Sequence, residues 1–263
     1  MIASGIYLLL GSAAGLLAGL LGVGGGLIIV PVLAWQFARQ GFPPAVIMQV
    51  ALATSLATIV PTSLSSLRAH HKRGAVRWPL FAQLAPGIVL GALAGAAIAD
   101  RLPSRSLQIF FGLFELGVAA QLLLDLQPRQ RDARRGRFAQ FFAGGGIGLI
   151  SAIVGIGGGT LTVPWLIWNG VVVREAVATA SACGLPIALA GATGFALLGG
   201  GAGIPASSGY IYWPAFALIA LASVMFAPLG AALAHRLDGR HLKRLFALFL
   251  GIVGFLMLRR NFA

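Results

Sequence analysis

The chain has 263 residues, of which 58% are hydrophobic and only 10% charged, and its mean hydropathy is +0.91. Soluble domains carry roughly 25% charged residues, and no soluble core of this size buries so much apolar surface, so a cytosolic enzyme, a secreted domain and a disordered chain are excluded. A formal net charge of +13 invites a nucleic-acid partner, but the basic residues come in short bursts between long apolar runs, as membrane-flanking loops do.

Met1-Ile2-Ala3-Ser4 carries no side-chain charge ahead of the first apolar run. The basic region of a cleavable signal is missing, and the run reads as a retained membrane element. It covers residues 5–38 and is interrupted at Gly22-Val23-Gly24-Gly25-Gly26. Apolar runs follow at 44–67, 78–99 and 105–126. A stretch rich in arginine, 127–137, comes next. Beyond it lie 138–169, interrupted at Gly155-Ile156-Gly157-Gly158-Gly159, then 175–199, 212–234 and 242–258. A spanning helix needs ~20 apolar residues, so the chain has room for about seven to nine membrane segments. Polar residues are too sparse for the alternation of a membrane barrel, so the fold class is all-α and polytopic. The single cysteine, Cys183, lies inside an apolar run and reads as a small buried hydrophobe.

The two halves repeat. Gly22, the three glycines, Pro31 and Leu33 recur as Gly155, the second glycine triplet, Pro164 and Leu166. Gly74, Trp78, Pro79, Gly95, Arg101 and Arg105 recur as Gly209, Trp213, Pro214, Gly230, Arg236 and Arg240. Ala53-Thr54 and Pro61 recur as Ala178-Thr179 and Pro186. Composition alone does not give two glycine triplets, two Trp-Pro pairs and two arginine pairs in one order. The chain therefore divides into a first transmembrane repeat (1–126), a basic cytoplasmic linker (127–137) and a second transmembrane repeat (138–263). Each repeat has four segments, and such duplication is a common build of secondary transporters.

Charge suggests their orientation, because Lys and Arg favour the cytoplasmic side. Loop 68–77 is basic while its counterpart 200–211 is uncharged, and loop 100–105 is weakly charged while its counterpart 235–244 is strongly basic. The bias flips between copies, which predicts inverted repeats. Inversion needs an odd number of crossings per copy, which the four segments give if the glycine-interrupted one dips in and returns. Two parallel units of four full spans are the alternative.

Three consecutive glycines exceed what close helix packing needs, although a packing face is their structural explanation. Each costs roughly 1 kcal/mol of helix propensity relative to Ala, so the helix should unwind there and restart as a half-helix at Leu27 or Thr160. A restarted helix offers unpaired N–H groups and the positive end of its dipole, which is an anion site without a buried cation. In lipid these groups must face protein or a wet cavity. Inverted copies would bring Gly24, Gly25, Gly26 and Leu27 to face Gly157, Gly158, Gly159 and Thr160. Hydroxyls of Thr54, Ser55, Thr179 and Ser181 could complete the substrate site. Most membrane Ser and Thr bond back to their own helix, and Thr54 and Thr179 stand out because they recur. Gln49 and Gln83 are other polar residues at depth. Glu115, in the middle of 107–126, could couple transport to protons; an arginine partner or a subunit contact is the alternative. The four histidines fall in basic loops and form no catalytic or metal set.

The duplicated GxGGGxxxxPxL element, Ala53-Thr54-Ser55 and the Gly-x-x-x-Trp-Pro element resemble the TauE/SafE sulfite-exporter family, the TSUP permeases, over nearly the whole chain. The resemblance implies a multi-pass permease of the bacterial inner membrane, with substrates among sulfite and organosulfonates. The family's paired glycine motifs fall on Gly22 to Pro31 and Gly155 to Pro164. In the second copy Ala180 replaces the serine of the Ala-Thr-Ser element.

The expected function is therefore transport of a small anion by alternating access, with backbone amides at the two glycine breaks binding it. An anion channel, a membrane scaffold with tight glycine packing and a membrane enzyme are the rivals; the last lacks a convergent catalytic set. The expected partners are a small anionic substrate and the lipid bilayer, not nucleic acid, and a homodimer is left open. No cofactor and no metal is expected.

Overall fold

The computed structural model describes residues 2–21, 25–124, 136–201, 203–234 and 239–259. These form α1 (Ile2–Leu21), α2 (Gly26–Arg39), α3 (Ile47–Lys72), α4 (Trp78–Arg101), α5 (Ser104–Leu123), α6 (Arg137–Val154), α7 (Gly159–Trp168), α8 (Val173–Leu198), α9 (Trp213–Ala234) and α10 (Gly239–Arg259). A small antiparallel hairpin of β1 (Ser207–Ser208) and β2 (Ile211–Tyr212) leads into α9. The protein is an all-α polytopic membrane protein. Among the described residues five helices are long and apolar enough to cross a bilayer, namely α3, α4, α5, α6 and α8. The outer faces of α4, α5, α6 and α8 carry bare leucine, isoleucine, valine and phenylalanine, with Phe138 84% and Leu197 77% exposed. In water such a surface would be an aggregation site; in lipid it is solvated.

Each glycine-interrupted segment folds as a helical hairpin. The Tyr7 hydroxyl, on α1, donates to Gln40 Oε1, just past α2, at 3.1 Å. Trp165 Nε1, on α7, donates to Gln140 Oε1, near the start of α6, at 2.9 Å. In each hairpin the chain thus runs in along the first helix and returns along the shorter second one, the second copy turning at Gly155–Gly158. Gly155 ends α6 in the left-handed region at φ +73°, where its own N–H and that of Ile156 bond back to Ala152 and Ser151 carbonyls. This is the usual glycine stop of a helix.

Equivalent elements make equivalent contacts, and they make them across the halves. Gly11 and Gly15 of α1 lie against the Ile219 and Ser223 backbone of α9, and Gly144 and Gly148 of α6 lie against the Leu84 and Ile88 backbone of α4. A Cβ at Gly11 would stand 2.6 Å from the Ile219 carbonyl oxygen, so only glycine allows this approach. Trp78-Pro79 and Trp213-Pro214 begin α4 and α9, where a proline N–H would have no intrahelical partner anyway. Each tryptophan meets a phenylalanine edge-on, Phe81 and Phe216 respectively. The two helices of each self-equivalent pair run antiparallel. Gly112 on α5 packs on Gly254 of α10 and Ala119 packs on Gly251, so one helix advances as the other recedes. Gly184 and Gly191 of α8 likewise meet Ser63 and Leu56 of α3.

Candidate functional site

The glycine breaks come together beside the middle of α3 and the first half of α8. Gly26, at the start of α2, lies against the Gly155 carbonyl and Ile156 just ahead of α7; a Cβ there would stand 2.5 Å from the Gly155 oxygen. The sequence reading set Gly24 to Leu27 against Gly157 to Thr160, further along the second break than Gly155 and Ile156. Ser55 Oγ donates to the same Gly155 carbonyl at 2.8 Å and fastens the second break to α3. Gly158 sits on α8, where a Cβ would meet the Ala180 carbonyl oxygen at 2.7 Å and the Gly184 amide at 3.0 Å. Gly157 faces Ile59 with ordinary van der Waals room, 3.5 Å. Gly25 rests on Ala14 of its own hairpin. Gly24 lies outside the described residues.

Both short helices start without a side-chain cap. The first carbonyl accepting within α7 is that of Gly158, from the Thr162 N–H at 2.9 Å. The N–H groups of Gly159, Thr160 and Leu161 therefore precede the helix's own bonding. At α2 the Gly25 carbonyl accepts from Ile28 and Ile29, each at 3.0 Å, leaving Gly26 and Leu27 in the same position. The side chains around the two starts differ. Ser151, Thr160 and Thr162 flank the second break, all three buried, and their hydroxyls have no hydrogen-bond partner among the described residues. The equivalent residues of the first copy are Ala18, Leu27 and Ile29. The second break is polar and the first is apolar.

Ser151 and Thr162 are absent from the sequence-based set. Ser151 lies one turn before Gly155, and Thr162 follows Thr160 by two. Their distance in sequence from the glycine triplet was the available signal.

The recurring threonines lie elsewhere. Thr54 Oγ1 accepts the Tyr212 N–H at 3.1 Å, and Thr179 Oγ1 accepts the Arg77 N–H at 3.0 Å. Each residue so held stands just before the Trp-Pro start of a helix in the other copy. Nearby, the Tyr210 hydroxyl donates to Asp100 at 2.9 Å. Burial and then the Asp100 carboxylate push Tyr210 up to about 12, so it remains a donor at neutral pH. Ser181 Oγ bonds back to the Val177 carbonyl at 3.0 Å. Gln49 bridges to Ser104 Oγ and the Leu102 carbonyl, joining α3 to the turn before α5.

Glu115 is fully buried, and neither carboxylate oxygen has a hydrogen-bond partner among the described residues. Its Cβ lies against Gly254 of α10. It belongs to the α5–α10 pair, whereas the breaks lie against α3 and α8. A carboxylate fully covered within one chain is not placed for a subunit contact, and no arginine pairs with it among the described residues. No cluster of three or more His, Cys, Asp or Glu occurs among the described residues.

Comparison with known proteins adds to this geometry. Residues 7–257 match the family model for the sulfite exporter TauE/SafE. A probable membrane transporter protein of Haemophilus influenzae is 35% identical over 94% of this chain and 95% of its own length. One from Methanocaldococcus jannaschii is 26% identical over 96% of this chain and 94% of its own length. Another, YunE of Bacillus subtilis, is 32% identical over 60% of this chain and 65% of its own length. No solved structure matches the chain.

Proposed function

The chain belongs to the sulfite exporter TauE/SafE family, and from that premise we propose that it is an inner-membrane permease for sulfite or a small organosulfonate. One observation carries the reading. At the second break the uncapped start of α7 meets buried hydroxyls that have no partner among the described residues, beside the centre of two spanning helices. Free N–H groups and the positive end of a helix dipole attract an anion. The Thr160 hydroxyl adds a donor at the start of the same helix. Fixed dipoles at this depth bind a small anion without a lysine or arginine that would hold it too tightly to release. Gly25, Gly26 and Leu27 supply the opposing wall, with Gly24 in the same motif. Ser55 fixes the break, and Thr54 and Thr179 hold the surrounding loops.

The antiparallel run of α5 against α10, and of α3 against α8, supports copies inverted in the membrane. The basic loops then face the cytoplasm. Inverted copies with a shared central site suit alternating access.

The test is flux in proteoliposomes of sulfite and a panel of sulfonates, with and without a pH gradient. Saturable sulfite or sulfonate flux that Thr160→Val weakens is the expected result. Ohmic conductance without saturation would move the chain to the channel class. Flux that ignores Thr160→Val and Gly157→Ala alike would take the site away from the second break.

A further inference from the structure

The antiparallel seam between α3 and α8 ends in a cluster of like charges. Leu56 and Ser63 of α3 meet Gly191 and Gly184 of α8. A helix face repeats about every seven residues, so the next step along this seam brings His70 level with Val177. One turn further out, Arg73 caps α3 and Arg174 stands in the first turn of α8. Both arginines act electrostatically on His70. Two cations, one from each copy, thus flank a histidine where the seam reaches its end.

Like charges so placed repel. The adjacent carboxylate is already engaged: Arg77 Nε donates to Glu175 Oε2 at 2.7 Å, and Thr179 holds the Arg77 N–H one turn along α8. No carboxylate pairs with Arg73 or Arg174 among the described residues, and both side chains are exposed. At the other end of the same helix pair the equivalent residues are Leu198 and Gln49, and Gln49 is bonded within the chain. The charge belongs to one end only.

This end lies at a membrane surface. Here α3 stops and α4 and α8 begin, all three long and apolar enough to span a bilayer. Val172 and Val173, just ahead of Arg174, are exposed, as is Trp78, so apolar surface runs up to the cations. The Trp78 ring lies edge-on to His71. Its indole N–H has no partner among the described residues, whereas that of its counterpart Trp213 donates to Ser208 Oγ at 2.9 Å. Exposed tryptophan beside arginine and lysine is the composition of a chain at headgroup level. A free anion has no use for the apolar rim; a phospholipid occupies both parts.

We propose that Arg73 and Arg174 bind the phosphate of an anionic phospholipid, which bridges the two copies at the end of the α3–α8 seam, with Val172 and Val173 beside its glycerol. Arginine is suited to phosphate because its planar fork offers two parallel donors, and the bound charge removes the repulsion across the seam. The assignment needs the membrane fold and not the identity of any transported anion.

The test follows thermal unfolding of the full chain in detergent, titrated with dioleoyl phosphatidylglycerol or dioleoyl phosphatidylcholine. Phosphatidylglycerol should stabilise the wild type at a concentration at least tenfold lower than phosphatidylcholine does. Arg73→Gln with Arg174→Gln should abolish that preference. Arg101→Gln with Arg105→Gln, which removes the same charge at the far end of α4, should keep it. Without lipid the Arg73/Arg174 double variant should melt no lower than the wild type, since it loses a repulsion. Lower melting there overturns the proposal, because the arginines then have partners inside the chain. A preference that survives the double variant, or that the Arg101/Arg105 variant loses equally, overturns it as well. Stabilisation by inorganic phosphate as strong as that by phosphatidylglycerol, and abolished by the same double variant, would make this a site for free anions and overturn the lipid assignment.

Discussion

The hydroxyl of Thr54 accepts the backbone N–H of Tyr212 at 3.1 Å, and the bond fastens the first copy to the second, since Thr54 lies on α3 and Tyr212 leads into α9. Thr179 does the same in reverse for Arg77. Replacing Thr54 or Thr179 by Val strands a buried or half-buried N–H, at a cost of about 1–3 kcal/mol. We expect each variant to unfold at lower temperature in detergent and Thr→Ser to restore most of the loss. Unchanged melting of Thr54→Val would detach the bond from stability. A further loss of anion affinity per folded molecule would add a direct contact with substrate.

The glycines of the second break separate packing from binding. Gly158→Val drives its side chain into the Ala180 carbonyl and the Gly184 amide, so lost transport there is confounded with lost folding. Gly157 has room for a methyl against Ile59. Gly157→Ala should therefore keep wild-type thermal stability and lower anion affinity and flux, by narrowing the approach to the amides. Wild-type binding in Gly157→Ala would move the anion off this face of the break.

Thr160→Val removes a donor from the second break without leaving another described group unpaired, because its hydroxyl has no partner among the described residues. Loss of a hydrogen bond to a charged ligand amounts to about 1.5–3 kcal/mol, or roughly ten- to a hundredfold in affinity. Stability should hold or rise. Equilibrium titration with sulfite on the folded protein reads both effects, and an affinity within twofold of wild type would exclude the hydroxyl.

Glu115→Gln keeps the shape of a fully buried side chain and removes its proton chemistry. If Glu115 carries the coupling proton, sulfite flux driven by a pH gradient should cease in the variant while exchange of sulfite for sulfite continues. Gradient-driven flux at the wild-type rate would leave Glu115 as part of the α5–α10 contact alone.

Inverted copies predict a pattern of labelling. Cysteines placed in loops 68–77 and 235–244 should resist an impermeant reagent outside the cell, and those in 200–211 should react. Residues 235–238 lie outside the described residues, so this experiment reaches beyond the structure. Equal reactivity of 68–77 and 200–211 would favour parallel copies.

The hairpins were legible in the sequence because three glycines in a row are too costly for a continuous helix. Close approach of the breaks was also legible, since the copies align. The partners were less so. Gly26 meets Gly155 and Ile156, a register set by how the hairpins enter between α3 and α8, which no local pattern encodes. Thr54 and Thr179 attracted attention because they recur, and recurrence turned out to mark a joint between the copies. Alignment detects whatever both halves need and is blind to what only one half has. Ser151 and Thr162 belong to one half, and only three-dimensional placement distinguishes them.

The exchanged glycine contacts set an order of assembly during synthesis. The face of α1 bearing Gly11 and Gly15 fits α9, and roughly two hundred residues of chain separate the two. On the ribosome α1 enters the bilayer first and must wait, its carbonyl-wide groove filled only by lipid, until nearly the last helix arrives. By contrast α4 meets α6 soon after each is made. The first half released alone would therefore keep the glycine faces of α1 and α4 unfilled, and a separately expressed second half has the surfaces to fill them.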